Sequence, residues 1–165
     1  MLTARYQAVV ETDFHTFGLM PNNPRDVING QYPEFSLAIF AEDVVFVKVG
    51  VKSGPVDVAV EMHDEPAVYD DEGWEDAAEG DLHYDLLDGL SVFQSLNYAW
   101  FPAIPAEGTL TPPGEHRYRV RIYARGRNNY YDGAVFDTPV ESYLLQLWPT
   151  ETPEAPRQLK NLSGV

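Results

Sequence analysis

The sequence predicts an all-β fold: an antiparallel two-sheet β-sandwich of about seven to nine strands with little helix. Two observations favour this class. Several segments alternate apolar and polar residues with a period of two, and 13 prolines and 12 glycines recur at turn-like intervals. The 165 residues suffice for one domain with a buried core. We therefore expect a single domain at residues 1–150 and a loose, proline-rich tail at residues 151–165.

The clearest strands are residues 56–63 and 117–125. In the first, valines and a methionine alternate with mostly polar residues, which is typical of a half-buried antiparallel strand. In the second, Tyr118, Val120 and Ile122 are expected in the core, while arginines alternate outward. Further strand candidates are residues 3–10, 35–40, 44–51, 79–84, 89–95 and 142–148. Residues 13–33, rich in Gly, Pro and Asn, are expected to form a long loop.

Composition excludes several kinds of chemistry. The absence of cysteine excludes disulfides, thiolate catalysis, iron–sulfur clusters and cysteine-bound zinc. The sequence has no phosphate-binding loop, nucleophile elbow or dinucleotide fingerprint, and its four histidines lack the spacing of a metal pair. We therefore expect no enzymatic activity, no cofactor and no metal site.

Location and partner class follow from charge and hydropathy. With 26 acidic and 11 basic residues, the net charge is −15, which argues against nucleic acid or an anionic membrane as the main partner. The longest apolar run is too short for a membrane helix. The first residues lack the basic start and apolar run of a secretory signal, so we expect a cytoplasmic protein.

The charge is unevenly distributed along the chain. Residues 53–116 contain 15 of the 26 acidic residues and no Lys or Arg, whereas residues 117–127 contain five of the eight arginines. At the centre of the first stretch, seven carboxylates surround one tryptophan. These candidate partner-binding residues are Asp70, Asp71, Glu72, Trp74, Glu75, Asp76, Glu79 and Asp81.

An acidic segment that carries an aromatic residue is typical of a docking surface for a basic protein. In this interpretation Trp74 is mostly exposed and acts as the apolar anchor, whereas Trp148 is buried. Two alternatives stay open: a solvated loop that maintains solubility, and a calcium site, although the spacing of an EF-hand loop is absent. The arginine-rich strand is expected to form a solvated face paired with acids such as Asp57 and Glu61, with an anion-binding stripe as the alternative.

Aromatic residues occur in two short runs, at residues 98–101 and 130–131. Aromatic runs usually pack in the core or at its rim. On a β-sandwich, clustered rings are also compatible with a carbohydrate-binding platform, which stays open as an alternative.

Three segments carry a resemblance to known proteins: GPVDVAVEMHDEP, DDEGWEDAAEGDL, and HRYRVRIYARGR followed by PVESYLLQLWP. Together they resemble a widespread group of uncharacterised bacterial proteins in which an arginine-rich strand precedes a YLLQLWP-like strand. In layout, the chain more remotely resembles the competence protein J nuclease inhibitors, which are small cytosolic β-sandwich proteins. The resemblance implies a soluble β-sandwich with an inhibitor or immunity role, and it assigns no role to individual residues.

The sequence therefore predicts a cytoplasmic, non-enzymatic protein that binds a basic protein partner through residues 70–81. The partner is expected to be a toxin or nuclease, for which this chain would act as immunity protein or inhibitor. The alternative is a ligand-binding β-sandwich for carbohydrate or calcium. The oligomeric state is left open.

Overall fold

The computed structural model describes residues 1–25 and 32–165, and within these ranges it contains eleven strands and no helix. Accordingly, no helix long and apolar enough to cross a membrane occurs among the residues described. The strands are β1 Leu2–Asp13, β2 Thr16–Pro21, β3 Ala38–Phe40, β4 Val45–Lys48, β5 Ser53–His63, β6 Asp76–Leu86, β7 Leu90–Leu96, β8 Ala99–Ile104, β9 Gly114–Arg125, β10 Ser142–Pro149 and β11 Arg157–Asn161.

The eleven strands form one open sheet. Its order is β11-β6-β9-β10-β5-β1-β2-β4-β3, and β7 and β8 branch from β2. Neighbouring strands pair antiparallel, except that β10 runs parallel to β5. The prediction of an all-β fold is thus confirmed. The further description as two antiparallel sheets of about seven to nine strands does not match this single mixed sheet.

A tight turn between β1 and β2 explains why the sheet is continuous. Phe14 and His15 have φ angles of +51° and +63°, as in the two-residue turns that connect β-hairpins. The turn pairs Asp13 with Thr16, after which β2 leaves β1 and pairs with β4 and β7. The predicted loop at residues 13–33 therefore contains β2, and residues 26–31 of that segment lie outside the described residues.

The sheet folds over so that its two ends enclose a common core. Phe17 on β2 meets Tyr143 on β10 edge to face, with ring centroids 5.3 Å apart. The last strand of this order, β3, approaches the second one, β6. A Cβ atom on Gly80 would lie 2.4 Å from the ring of Phe40, so only glycine permits this approach. Core side chains from the two halves accordingly form one cluster.

The two clearest predicted strands are confirmed. In β5, Val56, Val58 and Val60 are fully buried, and in β9, Val120 and Ile122 are fully buried. Trp148, at the end of β10, is also buried, as predicted. Within the segment expected to be a loose tail, Arg157–Asn161 instead forms β11 and pairs with β6.

We predict that Val120→Asp prevents folding. Val120 is completely buried in the core cluster, and an unpaired buried charge costs several kcal/mol, which is comparable to the whole stability of a domain. Circular dichroism of the purified variant is expected to show no cooperative thermal transition. Leu87→Asp, at a position 93% exposed, is the control and should melt like the native protein. A cooperative transition at the native temperature for Val120→Asp would contradict the core assignment.

Candidate functional site

The predicted partner-binding block is divided between a loop and a strand. Asp70, Asp71, Glu72, Trp74 and Glu75 lie in the segment that joins β5 to β6, which we name the acidic loop (residues 64–75). The remaining members of the block, Asp76, Glu79 and Asp81, lie within β6. The two parts have different surroundings.

The carboxylates of β6 face arginines of the neighbouring strand β9. The register places Glu79 opposite Arg121 and Asp81 opposite Arg119. The Nε atom of Arg121 lies 3.0 Å from Glu79, and Nη1 of Arg119 lies 2.8 Å from Asp81. From β11, Arg157 reaches Glu79 at 2.6 Å. Glu79 therefore binds arginines from the strands on both sides of β6.

The middle of this outward face of β9 is covered by protein. Arg119, only 4% exposed, also donates hydrogen bonds to the carbonyls of Glu154 and Ala155, at 3.0 and 3.3 Å. Arg121 donates to the carbonyl of Ala67 at 2.9 Å, and its guanidinium lies 4.9 Å from the ring of Trp148. The C-terminal segment (residues 150–165) and the acidic loop thus shield these arginines from solvent.

The expectation of a solvated arginine face is therefore wrong for the middle of β9. Arg119 and Arg121 are paired, as expected, but they are buried, and their partners are Glu79 and Asp81 rather than Asp57 and Glu61. Arg125, at the end of the strand, is exposed. Alternation along β9 identified which side chains share a face. It did not identify what covers that face, because the covering segments are distant in sequence.

Asp76 forms a second buried ion pair. Its side chain is fully buried and lies 2.9 Å from Nη1 of Arg127. Asp76 also accepts hydrogen bonds from the backbone N–H and the hydroxyl of Ser163, at 3.0 and 2.6 Å. This carboxylate therefore connects β6 to the segment after β9 and to the C-terminal segment.

The charge of Glu79 is stabilised in place. Burial alone raises the pKa of Glu79, but hydrogen bonds from Arg157 and Arg121 and the charges of Arg121 and Arg119 outweigh it, so the pKa lies below its usual value of 4.5. Glu79 is consequently ionised in the folded protein near neutral pH.

The acidic loop is fixed to the outward face of the sheet by Tyr123 of β9. The Tyr123 hydroxyl accepts a hydrogen bond from the backbone N–H of Asp70 at 3.2 Å. Its ring lies 6.0 Å from that of Tyr69 and 5.8 Å from that of Trp74. Trp74 also contacts Arg125, whose guanidinium lies 4.8 Å from the Trp74 ring. Trp74 is therefore partly buried, and the prediction that it is mostly exposed is wrong.

Several side chains of the acidic loop point to solvent. Asp70 and Glu72 are exposed, and Asp71 and Glu75 are partly exposed. Two apolar residues that sequence reasoning missed lie among them: Val68 is 85% exposed, and Tyr69 is 41% exposed. The signal available in the sequence was a Val–Tyr pair directly before the carboxylates.

Tyr69 and Asp71 hold the tip of the loop in one shape. The Tyr69 hydroxyl donates a hydrogen bond to Asp71 at 2.9 Å. Burial, together with this bond, raises the pKa of Tyr69 to about 12. The same hydrogen bond, with the charge of Lys160, lowers the pKa of Asp71. The loop thus presents its carboxylates in an ordered arrangement.

In the part of the chain that the structure describes, no group of three or more His, Asp or Glu side chains is arranged to hold a metal ion. The geometry therefore adds no support to the calcium alternative.

Comparison with known proteins shows the fold alone. Neither a scan against protein-family models nor a search of curated proteins gives a match. Among solved structures, the chain is similar to ComJ of Bacillus subtilis, described as an inhibitor of the DNA-degrading activity of NucA. The TM-score is 0.55 at 7% sequence identity, covering 91% of this chain and 99% of ComJ. It is also similar to the protein of crocagin biosynthetic gene J, with a TM-score of 0.52 at 13% identity, covering 90% of this chain and all of that one (100%).

We predict that Glu79→Gln strongly destabilises the protein. The substitution removes the charge that faces buried arginines, and removing one partner of a buried ion pair costs about 3–5 kcal/mol. Urea unfolding near pH 7 measures the loss. Glu72→Gln, at an exposed position of the acidic loop, is the matched control and should leave the midpoint unchanged. Equal stability of the two variants would contradict the role assigned to Glu79.

The effect of Glu79→Gln should depend on pH. Because folding lowers the pKa of Glu79 below 4.5, its ionised form stabilises the folded state above that pH. The contribution is lost as pH falls through the folded-state value. The difference in unfolding free energy between the native protein and Glu79→Gln should therefore narrow below pH 4.5. If this difference in unfolding free energy stayed constant on acidification, the ionisation of Glu79 would not contribute to the pH dependence of stability.

Proposed function

We propose that this protein is a non-enzymatic inhibitor that binds a basic protein, of the nuclease class, through the exposed side of the acidic loop. The observation that carries the proposal is the anchoring of that loop. Arg121, Tyr123 and Arg125 fix it to the sheet, while Asp70 and Glu72 point to solvent. A surface that is ordered before binding loses less conformational freedom on association.

The charge of the chain supports a basic partner. Arginines from other segments neutralise Asp76, Glu79 and Asp81, but the net charge of −15 remains. It generates a negative field that accelerates encounter with a cationic surface. A nuclease has such a surface where it binds the phosphates of its substrate. The fold resemblance to ComJ, an inhibitor of a DNA-degrading activity, supports the same class of role. We place this interaction in the cytoplasm, as the sequence predicts.

The proposal assigns two roles within the predicted block. The loop residues make the contacts: Asp70, Asp71, Glu72, Trp74 and Glu75. They are joined by Val68 and Tyr69, which supply exposed apolar surface within the same loop. The three carboxylates of β6 have a structural role. They form ion pairs with the arginines that contact the loop and the C-terminal segment: Asp76 with Arg127, Glu79 with Arg121, and Asp81 with Arg119.

Charge reversal at the loop tests the proposal. The triple variant Asp70→Lys, Asp71→Lys, Glu72→Lys should lose a partner that the native protein captures from host extract, and that partner should be basic. Calorimetry with the purified partner should show affinity that falls as salt rises, because screening shortens the reach of the field to about 8 Å at 0.15 M. Native protein, but not the triple variant, should slow DNA degradation by the partner.

The matched control carries the same change of charge elsewhere. Asp88→Lys, Glu107→Lys, Glu151→Lys alters three exposed acids outside the acidic loop, so it changes the net charge equally. This variant should keep most of the affinity. If both triple variants lose affinity equally, net charge and not the loop determines binding. If neither loses affinity, the loop is not the contact surface.

Val68→Ser isolates the apolar contribution of the loop. Since Val68 is 85% exposed, the substitution should leave thermal stability unchanged and weaken partner binding by about 1 kcal/mol. Trp74→Ala should weaken binding by about 2 kcal/mol or more, and it should also lower stability, because Trp74 packs on Tyr123 and Arg125. Unchanged affinity in both variants would exclude an apolar contact at this loop.

A further inference from the structure

A cleft of about 530 Å³ lies beside the β1–β2 turn, and none of its lining residues belongs to the acidic loop. This volume is within the range of small-molecule sites, which extends over roughly 300–1,000 Å³. Five of its lining residues carry rings. Phe14 and His15 of the turn, Phe46 of β4, Trp100 of β8 and Tyr131 contribute rings.

The fold brings together aromatic runs that are separate in sequence. Trp100, from the first run, lies against Phe46, with ring centroids 5.4 Å apart. Tyr131, from the second run, lies 5.6 Å from His15. The rings keep free surface: Trp100 is 39% exposed and Tyr131 is 58% exposed. Exposed rings in a concave site offer flat apolar faces to a ligand.

The basic side chains that line the cleft have partners within the protein. Lys48 forms an ion pair with Glu34. His15 donates from Nδ1 to the carbonyl of Val49 at 3.0 Å, and its Nε2 lies 2.9 Å from Asp132. Lys48 is thus neutralised by Glu34, and both ring nitrogens of His15 already have partners in the protein, so neither side chain offers a free cation to an anionic ligand.

Arg127 lines the cleft, but its hydrogen bonds are directed to the protein. It is 2% exposed and pairs with Asp76 at 2.9 Å. Its other bonds go to backbone carbonyls, including those of Lys48 at 3.1 Å and of Ser36. An anionic ligand would have to compete with these internal acceptors, so the buried guanidinium is not an anion site.

We propose that this cleft binds a neutral carbohydrate. A sugar ring combines an apolar face of C–H groups with neutral hydroxyls that donate and accept hydrogen bonds. The aromatic side chains match the first property, and the polar groups of Lys48, Glu34 and His15, which line the same cleft, match the second. The site is separate from the acidic loop and does not depend on the function proposed for that loop.

Saturation-transfer difference NMR on the full chain tests the proposal. The probes are glucose, galactose, mannose, N-acetylglucosamine, maltose and cellobiose at millimolar concentration. At least one should receive saturation, strongest on the ring C–H protons that face the aromatic walls. Trp100→Ala and Tyr131→Ala should each weaken its affinity about tenfold, the loss that one aromatic contact can produce.

Two controls identify the site. Phe136→Ala removes an aromatic side chain that is 86% exposed and does not line the cleft, so it should not change binding. The acidic-loop triple variant should also bind the sugar normally, which separates this proposal from the proposed function. The proposal is overturned if none of the six probes receives saturation, or if Trp100→Ala leaves the signal unchanged. It is also overturned if glucuronate, glucosamine or indole binds more tightly than the neutral sugars.

Discussion

The Glu79 carboxylate determines how one face of the sheet is built. A buried carboxylate is stable only when opposite charges and hydrogen-bond donors surround it, because desolvation otherwise costs several kcal/mol. Here β9 supplies Arg119 and Arg121, and β11 supplies Arg157. The arginines in turn need acceptors, which the carbonyls of Ala67, Glu154 and Ala155 provide. The acidic loop and the C-terminal segment are therefore fixed in place by one ionic network.

Much of the fold was predictable because strands leave a period-two pattern in the sequence. That pattern located β5 and β9 and assigned Val120 and Ile122 to the core. It could not show how strands join into sheets, since the short pairing of Asp13 with Thr16 makes the sheet continuous through a turn. Nor could it show that β11 forms, because its five residues acquire a pairing partner only when β6 is in place.

The candidate site was only partly predictable for a related reason. Because acidic residues are dense along this part of the sequence, Asp70 and Glu79 were predicted to belong to one site. In the structure Asp70 lies in the acidic loop, whereas Glu79 lies in β6, which begins at Asp76. The alternation of Glu79 and Asp81 with Ala78 and Gly80 was a usable signal. It places both acids on one face, and a neighbouring strand with arginines at the same spacing supplies matching partners. Sequence alone does not reveal which strands are neighbours, so the ion pairs of Glu79 and Asp81 with the arginines of β9 could not be predicted.

The Asp76–Arg127 pair connects the acidic loop to the aromatic cleft. Asp76 directly follows the loop, Arg127 lines the cleft, and both side chains are almost fully buried. Moving either one would expose or separate a buried ion pair that is also hydrogen-bonded to Ser163 and to backbone carbonyls. The pair therefore holds the two surfaces in a fixed relation. A partner bound at the loop and a sugar bound in the cleft would meet a framework that is already ordered, so we expect the two binding events to be energetically independent.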